Sequence, residues 1–61
     1  MRFDDMKPAM WLRHRNGVRA TVIDIDKELN PAFRVVWQTG QTNWYAAEIA
    51  EDFTPVALKV G

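Results

Sequence analysis

Two short turns ending in glycine, Asn16-Gly17 and Thr39-Gly40, interrupt stretches in which side chains alternate between apolar and polar. An alternation of period two marks a strand with one buried face, and glycine after a short polar residue supplies the positive φ that hairpins need. The chain is therefore built of antiparallel hairpins. In Met10 to Arg15, Met10, Leu12 and His14 share one face while Trp11, Arg13 and Arg15 share the other. In Ala32 to Gln38, Phe33, Val35 and Trp37 oppose Arg34, Val36 and Gln38, and Gln41 to Tyr45 returns after the turn.

Between the hairpins, Val18 to Asp26 is rich in β-branched residues, but its alternation changes phase. Val18, Ala20 and Val22 lie on one side, Ile23 and Ile25 on the other. An extra residue inserted in a strand resets which face each later residue meets, so a bulge near Ile23 is expected in a long, bent second strand. Asn30-Pro31 marks a loop, because proline drives its predecessor out of helical geometry. Ala46 to Asp52 contains good helix formers and sets Ile49 four residues before Phe53, which predicts one helical or 3₁₀ turn. Pro55 cannot donate to a ladder, so Thr54 to Val60 is expected as a short or edge strand.

A chain of 61 residues holds one domain and buries only about 60% of its unfolded surface. A core of that size supplies roughly 3–5 kcal/mol. Without cysteine, no disulfide supplements it, and with His14 as the one histidine no tetrahedral zinc site is expected. One helical turn cannot cover a flat sheet, so closing five strands into a barrel is the economical way to bury Leu12, Ala20, Val22, Ile25, Val35, Ile49 and Val56 together. The expected fold is all-β: a five-stranded barrel with one short helical or 3₁₀ turn before the last strand, and residues 1–7 as a flexible N-terminal arm.

The run Val35-Val36-Trp37-Gln38-Thr39-Gly40-Gln41-Thr42-Asn43-Trp44-Tyr45 resembles the hairpin of Tudor-like and mind-bomb-type SH3-like modules, in which valine and tryptophan precede a glycine turn and asparagine and an aromatic follow it. The resemblance extends from Lys7 to Phe53 and implies an SH3-like barrel with a binding role. Gln38 stands where that hairpin commonly carries an acid. The order of basic strand, turn, strand, long loop, hairpin and Tyr45-Ala46-Ala47 turn is also similar, more distantly, to the plasmid-borne SH3-like dihydrofolate reductase. That family has a Val-Gln-Ile-Tyr run where this chain has Gln41-Thr42-Asn43-Trp44-Tyr45, so no catalytic role carries over.

Eight basic residues balance eight acidic ones, so no net field draws the molecule to nucleic acid or an acidic membrane. The charges are nonetheless segregated. Lys7, Arg13, Arg15 and Arg19 lie together without an acid, whereas Glu48, Glu51 and Asp52 lie together without a base. Asp4 and Asp5 near the start, and the lack of a long apolar stretch, give no sign of export or membrane insertion, which makes the cytoplasm the expected compartment.

Catalysis needs a nucleophile, base and orienting partner in mutual reach, and such a set is not evident. His14, on the Leu12 face, reads as structural rather than as a general base. Asp24, Asp26 and Glu28 recur every second residue but lack the glycine and distal glutamate of a calcium loop, so they read as solvated strand-end acids. No metal or cofactor is expected. Trp37, Trp44 and Tyr45 in one hairpin form a candidate aromatic pocket for a methylated cation, against which core packing is the favoured reading. Trp11 flanked by Arg13 and Arg15 is the sharper candidate, because burying Leu12 turns all three outward. The expectation is a small non-catalytic binding module or inhibitor, an accessory protein of the phage or plasmid type, that engages a protein partner through Trp11, Arg13, Arg15, Arg34 and Tyr45. Nucleic-acid binding through the basic first strand is the alternative, and an oligomeric pore-type reductase a more distant one.

Overall fold

The computed structural model describes residues 1–56. Five antiparallel strands, β1 (Trp11–His14), β2 (Arg19–Asp26), β3 (Ala32–Trp37), β4 (Thr42–Ala46) and β5 (Phe53–Pro55), form one sheet in the order β4-β3-β2-β1-β5. A 3₁₀ turn, Ala47–Asp52, precedes β5, as the sequence predicts, and a second one, Phe3–Asp5, lies near the start. Residues 57–60, expected to continue the last strand, lie outside the described residues. No helix among the described residues is long and apolar enough to cross a membrane.

The phase change in β2 is a bulge at the expected place. Val22 pairs with Val35 and Asp24 with Arg34, so Ile23 is the extra residue. It restores Ile25 to the inner face opposite Phe33 and bends the strand, letting both ends of the sheet wrap round a common core. That core is Met6, Leu12, Ala20, Val22, Phe33, Val35, Ala50 and Phe53, with Ile25, Trp37, Tyr45 and Ile49 packed partly buried against it. β4 and β5, the two edges, meet through side chains: the Tyr45 and Phe53 rings lie 6.2 Å apart, and Phe53 also packs on Phe33 at 5.6 Å and Trp37 at 5.7 Å.

The turn before β5 explains why Ala50 is buried and Ile49 only partly so. A 3₁₀ helix repeats every three residues, so Ala47, Ala50 and Phe53 fall in one row, in place of the four-residue spacing expected for Ile49 and Phe53.

Both hairpins close with three-residue loops. The His14 N–H donates to Val18 O, the Gly17 N–H to His14 O, and Gly17 takes φ +92°. The Trp37 N–H donates to Gln41 O, the Gly40 N–H to Trp37 O, and Gly40 takes φ +94°. Each is a turn followed by one left-handed residue, which only glycine adopts freely. Asn16 Oδ1 accepts from the Val18 N–H at 2.9 Å and fixes the first loop.

Residues 1–7, expected as an arm, pack against the barrel. Met6 is 1% exposed, the Phe3 ring lies 6.4 Å from that of Phe33, and the Met1 ammonium donates to the carbonyls of Ala50 and Phe53. The segment plugs one end of a core too small to seal itself. It reaches β1 through Ala9, whose N–H donates to Val22 O at 2.7 Å and whose φ is +71°.

Candidate functional site

Strand register decides which predicted site residues meet. On the outer face, Trp11 stands opposite Thr21, and Thr21 opposite Val36. In the next row Arg19 stands opposite Arg13, and Arg13 opposite Thr54. Gln38 joins this second row: its N–H donates to Arg19 O at 3.0 Å, and its Oε1 accepts from the Arg19 N–H at 3.3 Å. Beside these rows lies a groove of about 190 Å³ lined by Trp11, Arg19, Thr21, Val36, Gln38 and Val56, with the inward residues Leu12, Ala20 and Trp37 at its floor. Trp11 remains 44% exposed at this groove.

Arg13 and Arg19 face each other with like charge. Among the described residues, ion pairs join Arg2 to Asp4, Arg15 to Asp52 and Arg34 to Asp24, and none includes Arg13 or Arg19. Two guanidinium groups without an ion pair among the described residues, beside an indole and an apolar groove, offer paired donors for a carboxylate or phosphate next to a surface for an apolar group.

The five-residue patch expected from the sequence is not one surface. Arg15 lies in the hairpin loop, where its guanidinium pairs with Asp52 at 3.6 Å and its N–H donates to Asp52 O at 2.9 Å. Arg34 is held by the Asp24 carboxylate on one side and lies 5.4 Å from the centre of the Trp44 ring on the other. Tyr45 points inward, with its ring 5.8 Å from Phe33 and 6.2 Å from Trp37. Of the five, only Trp11 lines the groove; Arg13 stands beside it, opposite the lining residue Arg19.

Nor do Trp37, Trp44 and Tyr45 enclose a pocket. Adjacent residues of a strand face opposite sides. Trp44 is therefore 52% exposed on the outer face, while Tyr45 and Trp37 pack against the ring of Phe53. His14 belongs to the same interior cluster, edge-on to Phe53 at 4.9 Å and Trp37 at 5.7 Å, and its Nδ1 accepts from the Asn16 N–H at 3.2 Å. Among the described residues, no group of three His, Asp or Glu is placed to hold a metal ion.

Arg19 is the site residue that the sequence pattern hides. A two-residue Asn16-Gly17 turn would set Arg15 opposite Val18 and Arg13 opposite Ala20. The three-residue loop pairs His14 with Val18 and slides Arg13 onto Arg19. Loop length, not composition, creates the cationic pair.

No protein-family model, curated protein or solved structure matches this chain.

Proposed function

We propose that this protein is a non-catalytic binding module that takes an extended segment of a protein partner across the outer face of β1 and β2. The segment inserts an apolar side chain beside Trp11 and offers a carboxylate to Arg13 and Arg19. The observation that supports this most directly is the juxtaposition of an exposed indole, an apolar groove and two like-charged arginines that form no ion pair among the described residues. Tryptophan and arginine are the side chains that most often dominate interface energies, since each buries a large area and directs a donor. The reading agrees in kind with the resemblance to Tudor-like and mind-bomb-type modules, but it places recognition on the first hairpin and not on the second.

A protein partner is favoured over nucleic acid because the chain has no net charge, and two cations make a short track for a phosphate backbone. Selection from a displayed library of random peptides tests the reading. The expected outcome is enrichment of an apolar residue flanked by Asp or Glu, with at least tenfold weaker binding by Trp11→Ala and Arg13→Ala. Binding that survives both substitutions removes the groove from the reading. A single-stranded oligonucleotide that binds at low salt, with affinity falling steeply as salt rises, reassigns the face to nucleic acid.

A further inference from the structure

The two edges of the sheet are not alike. In β5, the Val56 N–H donates to Trp11 O. By the alternation of an antiparallel ladder, the Pro55 nitrogen then faces away from β1, where a strand trying to add on finds no donor and a ring in its path. Among the described residues, β4 carries no such guard. Its sequence, Thr42-Asn43-Trp44-Tyr45-Ala46, has no charge, proline or glycine, and no bulge interrupts its pairing with β3. Edges of soluble sheets are normally blunted by one of these devices.

Which groups this edge presents follows from two hydrogen bonds. Gln41 O accepts from the Trp37 N–H, and the Ala47 N–H donates to Pro31 O. Alternation between those ends turns Asn43 and Tyr45 towards β3, and turns the N–H and C=O of Thr42, Trp44 and Ala46 outward. The same three residues have exposed side chains.

We infer that β4 is a self-pairing edge, and that two copies of this chain join antiparallel through Thr42–Ala46 about a two-fold axis at Trp44. The register is self-complementary. Trp44 meets the second copy's Trp44, where both N–H and both C=O groups pair, and Thr42 meets the second copy's Ala46, whose N–H donates to the Thr42 C=O while its own C=O also opens the 3₁₀ turn. The charges also permit it: Arg34, next in the Trp44 row, is already neutralised by its own Asp24, so no like-charge pair forms across the axis. The Arg34 guanidinium on each Trp44 ring holds both indoles in place for the contact.

Sedimentation of the full chain from about 10 µM to about 1 mM tests this, since a self-association midpoint depends on protein concentration. The average mass is expected to rise from the monomer's 7.1 kDa towards twice that value. In hydrogen exchange followed by NMR, the Thr42, Trp44 and Ala46 amides should gain protection with concentration. Ala46→Pro should abolish association and keep the fold, because Ala46 already has φ −63°, within the proline range, and its N–H faces the edge. Trp44→Lys, which sets two ammonium groups opposite each other, should do the same. A wild-type chain that stays monomeric throughout overturns the inference. So does a dimer that both variants still form, or one whose edge amides gain no protection.

Discussion

Replacing Arg19 by glutamate should stabilise the fold while it weakens binding. Arg13 and Arg19 stand directly opposite on exposed positions of β1 and β2. Facing like charges cost a few tenths of a kcal/mol, and an opposite pair contributes roughly 0.2–1 kcal/mol. After discounting for exposure, the exchange amounts to about 0.5–1 kcal/mol at low ionic strength. A domain near 60 residues gains roughly 4–8 °C in Tm for each kcal/mol, so thermal unfolding at low salt should shift upward by about 2–8 °C. The gain should fade towards 1 M salt, where screening reaches within about 3 Å. Arg13→Glu should give the same gain for the same reason. The double variant Arg13→Glu, Arg19→Glu should lose it, because two carboxylates then face each other, and this cycle separates the pair from strand propensity and from net charge. Singles that fail to stabilise, or a double variant as stable as the sum of the singles, would refute the account of Arg13 and Arg19 as a pair held apart for a ligand.

Backbone strain gives a second pair of outcomes. Gly17 and Gly40 have φ +92° and +94° with open space where a Cβ would sit, so Gly17→Ala and Gly40→Ala should each lose about 1–2 kcal/mol in urea unfolding through backbone conformation alone. Ala9 has φ +71°, so Ala9→Gly should gain up to about 1 kcal/mol after the entropy of glycine in the unfolded chain is subtracted; a loss there would show that Ala9 is unstrained. Met6→Ala should cost about 2–4 kcal/mol, most of the stability expected at this size, and collapse NMR dispersion at room temperature; a well-dispersed spectrum would show that the N-terminal segment contributes little.

Much of the fold was legible because strands announce themselves locally. The alternation at Met10–Arg15 and Ala32–Gln38, the phase slip at Ile23 and the helix formers after Tyr45 each depend on neighbours in sequence. Met6 was not legible. It follows no periodicity, and it is buried in a cluster with Phe33 and Ala50, against which Phe3 packs, that comes together only in three dimensions. The candidate site failed to be read for a related reason. Exposure of Trp11, Arg13 and Arg15 follows from the burial of Leu12, but the partner of each depends on whether the loop holds two residues or three. That choice drew Arg19 into the site and left Arg15 to Asp52. For Trp37, Trp44 and Tyr45 the sequence favours core packing over a shared pocket, and strand geometry divides them, with Trp37 and Tyr45 packed on Phe53 and Trp44 exposed.

The division of faces also limits where recognition can lie. Leu12, Ala20, Val22, Phe33 and Val35 occupy inward positions of β1 to β3, and each is buried; in a core this small, none can be diverted to a ligand without emptying it. Outward positions carry no such demand, and there the chain places Trp11, Arg13, Arg19 and Trp44. If two copies join at β4, their Trp11 grooves lie on one continuous surface, separated by seven strand spacings of about 4.8 Å, or about 34 Å, less as the sheet curves. A partner carrying two recognition segments within that span would bind far more tightly than one segment alone, with affinity gained from the tether and not from new contacts. Ala46→Pro would then leave single-segment binding intact and remove the gain from the second, which separates the groove from the edge in one titration.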